Sequence, residues 1–252
     1  MKEKDANKIK YILQHQKLCL KVSGQLTIGI YANFRPISYK KNENFYGLDV
    51  AIIRNYCKIV GLKPVFKEIK HFKDIWFLPS QNLFDICIGG IGISDLRTNK
   101  KTEWSIPYFY VERTVLYNKQ NPIHNFPKDV TGIIRATNCS IGHIDGNKKI
   151  KEFNKSIKII TSSDENKDLA DLRAGKIQGL LRGSFVAKAL LKKYSDLAIH
   201  KPWKADSSII SDDNEVFAYP CKLGSGISTS LSTFLTFLIL SGELEKLRRI
   251  YL

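Results

Sequence analysis

Apolar residues in the first half of the chain alternate between short continuous runs and longer stretches with helical spacing. Short runs bounded by turn-forming residues are typical of buried strands, and they predict strands at residues 25–31, 63–69 and 84–88. Between the first two, apolar residues at 48, 52, 53, 56, 59 and 60 predict a helix that ends at Gly61, and residues 71–82 predict a second helix. This alternation predicts a mostly parallel sheet with helices on its faces.

The second half repeats the alternation after a polar segment, residues 119–129, that contains two prolines. A strand at residues 112–118 precedes this segment. Further strands are predicted at residues 138–142, 157–161, 178–181 and 215–219, and helices at residues 146–153, 164–174, 184–193, 227–240 and 243–250. The sequence therefore predicts two α/β units that are joined twice, with a cleft between them.

The composition fits a folded globular chain. Of the 252 residues, 43% are hydrophobic and 25% are charged, which excludes intrinsic disorder as a description of the whole. The formal net charge is +16, but 31 of the 40 basic residues are scattered lysines, whereas nucleic-acid surfaces favour clustered arginines. We therefore expect a solvated, lysine-rich surface that attracts small anions, and no nucleic-acid partner.

The sequence has no clear targeting, membrane or metal motif. Residues 1–10 are charged where a secretory signal needs an apolar core, so either the chain is cytosolic or an export signal has been replaced by a start methionine. Residues 223–242 are uncharged but rich in Ser, Thr and Gly, which favours a docked helix over a membrane span. The five cysteines lack zinc-site spacing, and Cys57, Cys87 and Cys139 lie in apolar runs that predict buried, inert thiols.

Five segments, in this order and spacing, resemble one known family. They are LTIGIYANFRPISY (26–39), YGLDVAIIRNYCKIVGLKPVF (46–66), FDICIGGIGISDLRTNKKTEWSIPYFY (84–110), DLRAGKIQGLLRGSFVA (171–187) and LSGELEKLRRIYL (240–252). Together they resemble the type II periplasmic solute-binding proteins, in particular the polar amino acid branch that serves ABC importers. The resemblance covers nearly the whole chain, from residue 25 to residue 252.

The resemblance implies an α/β fold of two Rossmann-like lobes joined by a two-strand hinge that closes on a ligand in the interlobe cleft. Residues 1–24 would be an N-terminal extension, residues 25–118 and 212–252 would form lobe 1, and residues 119–211 would form lobe 2. The chain would be a monomeric receptor, periplasmic or on the outer face of the cytoplasmic membrane. It would deliver an amino acid or related carboxylate to an ABC transporter permease, without a cofactor, a metal or catalytic residues.

Arg97 is the arginine that would grip the ligand carboxylate, because it occupies the position of the family's carboxylate-binding arginine. A guanidinium offers a planar fork of donors that suits two carboxylate oxygens. Gly90, Gly92 and Ser94 precede it in GGIGIS, where small residues would let backbone N–H groups approach the same carboxylate.

The resemblance also assigns aromatic and second-lobe contacts. Phe34 and Phe72 match the aromatic residues that sandwich the ligand's carbon skeleton, where a ring buries apolar surface and screens the ion pair from water; for Phe72, packing in the core is an equally good interpretation. Asn147 and Lys148 follow GHIDG, at the predicted start of a second-lobe helix, and match positions that donate hydrogen bonds to the ligand.

Two departures from the family bear on the ligand. Amino acid binders of this branch usually carry Asp at the position of Gly183, where it holds the ligand's ammonium, and binders of cationic or polar amino acids often carry Asp at the position of Tyr31. The ligand would then either lack an α-ammonium or have it held differently, through Tyr31, Asp145 or Glu112. We expect a small anionic or zwitterionic metabolite, with Arg182 as a second anion clamp or, alternatively, as a solvated residue at a strand end.

Two other functional classes compete with a transport receptor. Cyclohexadienyl and arogenate dehydratases resemble these binders and need a general acid in the cleft, for which only Glu112, His143 and Asp145 are nearby candidates. A detached ligand-binding module of a sensor is the other alternative. We expect the receptor and not an enzyme.

Overall fold

The computed structural model describes residues 3–98, 100–153, 157–203 and 215–252. The chain divides into two compact units. Unit 1 comprises Met1–Ile91, Arg97–Phe109 and Phe217–Leu252, and unit 2 comprises Gly92–Leu96 and Tyr110–Val216.

The described residues form helices and short strands throughout both units. The helices are α1 Glu3–His15, α2 Leu48–Val60, α3 Ile141–Phe153, α4 Glu165–Arg173, α5 Ser184–Leu191, α6 Ile227–Ser241 and α7 Glu243–Tyr251. The strands are β1 Gln25–Ile30, β2 Asn33–Phe34, β3 Ser38–Lys41, β4 Asn44–Tyr46, β5 Lys63–Glu68, β6 Ile86–Ile88, β7 Thr102–Trp104, β8 Phe109–Val111, β9 Arg113–Asn118, β10 Ile134–Thr137, β11 Ile159–Ser162, β12 Gly179–Gly183, β13 Leu197–Ile199, β14 Glu215–Phe217 and β15 Pro220–Lys222.

The sheet of unit 1 has the strand order β5-β1-β6-β15-β7. Strand β1 runs parallel to both β5 and β6, whereas β15 is antiparallel to its neighbours. Helix α2 packs the apolar face that its sequence predicts, since Ile52, Ile53 and Tyr56 are fully buried. It ends at Gly61, whose left-handed φ of 75° lets the chain turn away towards β5. The predicted strands at residues 25–31, 63–69 and 84–88 and the helix between the first two are thereby confirmed.

Helix α1 lies in the segment that we predicted as an N-terminal extension, and it packs on unit 1. It contacts α2 and α6, and Leu13 is 1% exposed. The segment after it is tied to the sheet, because the Lys21 N–H donates to the buried carboxylate of Asp85 over 2.8 Å. Residues 3–24 therefore pack on unit 1, with Leu13 as their buried contact.

The sheet of unit 2 has the strand order β11-β10-β12-β9-β13. Strand β10 runs parallel to β11 and β12, and β9 is antiparallel to β12 and β13. Fully buried Val115, Ile123 and Ile134 lie in its apolar core. Strand β9 pairs with β12 and β13 of this sheet, so residues 113–118 lie in unit 2, whereas the sequence predicts them in lobe 1. The chain passes between the units on either side of Gly92–Leu96, within β8 and within β14, and β8 pairs with β14.

Two predicted elements are wrong. Residues 71–82 form only a short 3-10 turn, Ile75–Phe77, because Asp74 has a left-handed φ of 62° and Pro79 cannot continue a helix. Residues 138–142 are not a strand: β10 ends at Thr137, and α3 begins at Ile141.

The apolar C-terminal helices were tested for the ability to cross a membrane. No single helix among the described residues is both long and apolar enough to do so. Helices α6 and α7 pass that test only as a pair, and the pair is bent by 85° at the break between them.

Candidate ligand-binding site

Arg97 lies against a set of aromatic rings in unit 1. Its guanidinium carbon is 4.3 Å from the ring centre of Trp76 and 5.5 Å from that of Phe72. The Phe72 ring in turn meets the Tyr31 ring edge to face, with 5.3 Å between their centres. We call Arg97, Phe72, Trp76 and Tyr31 the Arg97 cluster. All four side chains are buried, and Arg97 is only 2% exposed.

The topology of the unit 1 sheet explains why these residues meet. Strands β5, β1 and β6 are adjacent and parallel, so their carboxyl ends lie at one edge of the sheet. Phe72 follows β5, Tyr31 follows β1 directly, and Arg97 ends a 3-10 turn that follows β6. Ligand sites of open α/β sheets form at this edge. The structure therefore brings together Arg97, Phe72 and Tyr31, which the sequence singled out separately.

The Arg97 cluster has the chemistry of a carboxylate site. A guanidinium presents its donors in one plane, and aromatic faces hold it in place through cation–π attraction. Because the cluster is buried, the local dielectric is low and an ion pair formed there is stronger than in water. Trp76 adds a buried indole N–H that has no hydrogen-bond partner among the described residues. Sequence reasoning missed Trp76, although it lies four residues after Phe72 in the segment predicted as a helix.

Gly89 and Gly90 form the loop that connects β6 to the cluster, and both have positive φ, 136° and 63°. A Cβ on Gly90 would lie 2.4 Å from the Phe34 ring, so only glycine leaves room for that ring. The N–H groups of both glycines donate to one oxygen of the Asp49 carboxylate, over 2.9 and 3.0 Å. The expectation that the Gly90 N–H faces a ligand carboxylate is therefore wrong, because an internal carboxylate already accepts it.

Asp49 is completely buried, and its second carboxylate oxygen accepts from two tyrosines. The Tyr108 hydroxyl donates over 2.5 Å and the Tyr219 hydroxyl over 3.3 Å. Burial raises the pKa of Asp49 to about 6, and the hydrogen bonds from Tyr108, Gly90, Gly89 and Tyr219 oppose that rise. Burial raises the pKa of both tyrosines well above their usual range, so both hydroxyls remain neutral donors.

Unit 2 carries the remaining predicted ligand contacts. Ser94 is fully buried, and its hydroxyl has no hydrogen-bond partner among the described residues. Gly92 is buried two residues before it, and the Ile93 N–H between them donates to the Val216 carbonyl over 3.0 Å. Asn147 and Lys148 are half-buried and lie in the middle of α3. Their predicted position at a helix start is wrong, because α3 begins six residues earlier than Asn147.

Arg182 does not have the environment of an anion clamp. Its guanidinium donates to Asp168 over 2.8 Å, and Arg135 donates to the other oxygen of the same carboxylate over 3.0 Å. All three side chains are nine-tenths or more buried. The charge of Arg182 is therefore compensated within unit 2, and both sequence interpretations, a ligand clamp and a solvated strand end, are wrong.

Gly183 ends β12, in register with Arg113 of β9. A Cβ at Gly183 would lie 2.7 Å from the Phe185 ring and 3.1 Å from Val111. Phe185 therefore fills the volume in which the family's Asp side chain would begin. Sequence reasoning also missed a buried ion pair in this unit, in which Arg113 contacts Glu215.

The other polar residues considered for the ligand amine or for catalysis have different environments. Asp145 is completely buried and accepts a hydrogen bond from the Trp203 indole N–H over 2.9 Å. Glu112 is exposed. His143 is half-buried, and burial lowers its pKa. Asp145 thus serves the packing of unit 2, which weakens it as a partner of a ligand amine.

The cysteines and acidic residues do not form a reactive or metal-binding site among the described residues. Cys57, Cys87 and Cys221 are buried, and burial raises the pKa of the Cys57 thiol to about 12 and also raises those of the other two thiols. Cys139 is only partly buried, contrary to its prediction. Across residues 3–98, 100–153, 157–203 and 215–252, no group of three or more His, Cys, Asp or Glu side chains could hold a metal ion.

Known proteins with similar sequences and folds were compared with the chain. It is 25% identical over 183 residues to the L-cystine-binding protein TcyJ of Escherichia coli (strain K12); the match covers 70% of this chain and 65% of that protein. A solved ancestral arginine-binding protein bound to arginine is 20% identical, with a TM-score of 0.77, and 90% of this chain and 98% of that one are covered.

Two further solved structures have the same fold. The arginine-, lysine-, histidine-binding protein ArtJ from Geobacillus stearothermophilus is 20% identical, with a TM-score of 0.75 and coverage of 90% of this chain and 94% of that one. An ancestral amino acid-binding protein, AncCDT-1, described as a precursor of cyclohexadienyl dehydratase, is 20% identical, with a TM-score of 0.76 and coverage of 90% and 95%. The predicted α/β fold of this class of binding proteins is thereby confirmed. Residues 26–218 match the bacterial extracellular solute-binding proteins, family 3, and the chain belongs to that family.

Proposed function

We propose that the protein is the solute receptor of an ABC importer and binds a small amino acid or related carboxylate through Arg97. The observation that carries this proposal is a buried arginine held against two aromatic rings at the carboxyl edge of a parallel sheet. A buried guanidinium gains more from a carboxylate partner than one in water does. The similarity to an L-cystine-binding protein and to arginine-binding proteins supports an amino acid or a close analogue.

Within this proposal, the aromatic residues enclose the carbon skeleton of the ligand. Phe34 lies on Gly90 and meets the Phe217 ring edge to face, with 6.1 Å between ring centres. Phe72 and Tyr31 hold the Arg97 side of the site, and Trp76 supplies an additional N–H donor.

Gly92, Ser94, Asn147 and Lys148 of unit 2 remain proposed contacts, as the family resemblance implies. Ser94 is the best supported of these, since its buried hydroxyl has no partner among the described residues. Gly183 lies in this unit as well, but it offers only backbone atoms to a ligand.

The test is a panel of compounds that separates amino acids from amine-free acids. L-Cystine, L-arginine and L-glutamine form one arm, and succinate and pyruvate form the other; each is screened by thermal unfolding and then titrated by calorimetry. A compound at one hundred times its Kd adds about 2.7 kcal/mol of stability. Binding of an amino acid would mean that a group other than residue 183 contacts its ammonium. Binding of amine-free acids alone would explain why residues 31 and 183 are not aspartates.

Arg97→Ala is the decisive variant. Hydrogen bonds to a charged group contribute about 1.5–3 kcal/mol, so we expect the Kd of any compound bound by the wild type to rise about 10- to 100-fold. Arg54→Ala is the matched control, because Arg54 also lies over an aromatic ring of unit 1, 5.7 Å from the centre of Phe66, but is exposed and outside the Arg97 cluster. Equal affinities for wild type and Arg97→Ala would refute the proposed role of Arg97.

The proposal also includes hinge closure on ligand, delivery to a membrane permease, and a location in the periplasm or on the outer face of the cytoplasmic membrane. A smaller radius of gyration in solution scattering after ligand addition tests the closure. Loss of uptake of the same compound by cells that lack the protein tests the delivery.

A dehydratase-like activity is the second candidate, because a precursor of cyclohexadienyl dehydratase has the same fold. It is less well supported, since the buried carboxylate of Asp145 is already hydrogen-bonded to Trp203. Turnover of prephenate by the purified wild-type chain, measured by the absorbance of the aromatic product, would show that the chain is an enzyme and would overturn the receptor proposal.

A further inference from the structure

The loop Gly89–Gly90 is the support of the proposed ligand site. A Cβ on Gly90 would meet the Phe34 ring, and a Cβ on Gly89 would lie 2.9 Å from the Tyr31 Cβ. The two aromatic side chains therefore lie directly on this loop. Any displacement of its backbone shifts the rings that rest on it, because packed interiors leave no free volume to absorb the shift.

Glycines do not hold themselves in one conformation. Each has access to left- and right-handed backbone regions and therefore loses much conformational freedom on folding. Something must keep Gly89 and Gly90 at their positive φ values, and the N–H groups of both residues donate to Asp49. Both N–H groups share one carboxylate oxygen, which fixes the two peptide planes relative to each other.

The other oxygen of Asp49 connects the loop to distant parts of unit 1. It accepts from Tyr108, which precedes β8, and from Tyr219, which precedes β15. The two tyrosine rings stack at 4.5 Å with an angle of 10° between their planes. Asp49 itself lies in the first turn of helix α2, which is buried along one face. One carboxylate thus links a helix, two tyrosines and the glycine loop.

From this arrangement we propose that Asp49 is a positioning residue of the ligand site: its carboxylate fixes the Gly89–Gly90 loop and thereby the rings of Phe34 and Tyr31. It does not contact the ligand. The expected effect of Asp49 on ligand affinity rests on the proposed function, whereas its expected effect on the loop conformation does not require a ligand. An ionised carboxylate is needed because it is an acceptor at both oxygens, whereas an amide presents one acceptor and one NH2 donor group.

Asp49→Asn tests the inference, and Asp85→Asn is its matched control. Asp85 is also a completely buried carboxylate of unit 1 that accepts backbone N–H groups, from Lys21 and from Thr27 at 2.8 and 2.7 Å. These hydrogen bonds from Lys21 and Thr27 do not involve the Gly89–Gly90 loop. Both substitutions remove one buried negative charge, so a general loss of stability affects both variants.

Two measurements are made on each protein. The first is amide hydrogen exchange at Gly89 and Gly90, followed by nitrogen-15 NMR without ligand; we expect exchange at least about tenfold faster in Asp49→Asn than in Asp85→Asn. The second is the Kd of the wild-type panel compounds, with L-cystine and succinate as the named probes; we expect about a tenfold rise for Asp49→Asn only. Tyr108→Phe, which keeps the carboxylate, should show the same changes in smaller size if Asp49→Asn does not fold.

The outcomes separate this inference from the proposed function. If the wild type binds no panel compound, the proposed function fails, and the exchange rates at Gly89 and Gly90 alone decide the role of Asp49. If exchange and affinity change equally in the Asp49 and Asp85 variants, or in neither, the positioning role is overturned. If amide exchange at Gly89 and Gly90 is faster in Asp49→Asn but the Kd is unchanged, the loop does not position the ligand site and the inference is overturned.

Discussion

The buried carboxylate of Asp49 should make the protein less stable as the pH rises from about 4 to about 7. Its pKa in the folded protein is about 6, against an ordinary value of 3.8, and the cause is burial, which disfavours the charged form. Between these two values the folded state binds more proton than the unfolded state. The stabilisation that is present below the unfolded pKa is therefore lost as the pH rises through the folded one.

The magnitude follows from the difference between the two pKa values. One pKa unit corresponds to about 1.4 kcal/mol, so a rise of roughly two units corresponds to a loss of about 3 kcal/mol by neutral pH. Asp49 is 0% exposed, so solvent does not screen this effect. Asp171 and Asp196 act in the opposite direction, since their arginine partners lower their pKa values, but both contribute equally in wild type and in a variant of Asp49.

The assay compares the wild type with Asp49→Asn, which cannot titrate at this position. Urea unfolding at several pH values gives the free energy of unfolding of each protein. We expect the difference, wild type minus variant, to fall by about 3 kcal/mol between about pH 4 and about pH 7. Curves that stay parallel over this range would show that Asp49 has the same proton affinity in the folded and unfolded chains, and the reasoning from its burial would be refuted.

Two further substitutions test packing in unit 1. Gly90→Ala places a Cβ against the Phe34 ring and also forces alanine into a left-handed φ. We expect urea unfolding to show a loss of about 1–2 kcal/mol of stability, and we expect weaker ligand binding. Gly61→Ala is the control, because its φ of 75° is similar but no atom lies within 4 Å of the added Cβ, so it should lose stability without a change in binding. Leu13→Ala should lower the free energy of unfolding by about 2–3 kcal/mol, because the Leu13 side chain is buried. Ile12→Ala, at a position 41% exposed, should change it by less than about 0.5 kcal/mol. Equal effects of the two substitutions would show that α1 does not dock on unit 1.

Sequence periodicity was sufficient where an element has one buried face and a clear stop. Helix α2 was predicted to the residue, because six apolar positions repeat with the helical period and Gly61 supplies the left-handed end. The segment at 71–82 has comparable apolar content, but the left-handed Asp74 and Pro79 interrupt it. Periodicity does not contain that information, since most aspartates are not left-handed and the surroundings decide which of them are.

The sequence singled out Arg97, Phe72 and Tyr31 of the Arg97 cluster but not Trp76, and it did not predict their contacts. Arg97 and Phe72 come together because the carboxyl ends of β5, β1 and β6 share an edge, which follows from a parallel topology. In contrast, the sequence cannot show that Arg182 is neutralised by Asp168, because the pairing depends on how α4 packs on β12. The same holds for the Gly90 N–H, whose partner, Asp49, lies 41 residues earlier in the chain.

The two missing acids are built into the packing and are not simple vacancies. At residue 31 the aromatic ring packs against Phe72 and thereby belongs to the Arg97 cluster, so an aspartate there would remove a wall of that cluster. At residue 183 the volume beside the backbone is taken by the Phe185 ring, so an aspartate would have to displace it. At both positions an aromatic ring occupies the space beside the backbone where the family resemblance implies a carboxylate. An ammonium group on the ligand would therefore need a partner elsewhere, and a carboxylate with an apolar body fits the residues that remain.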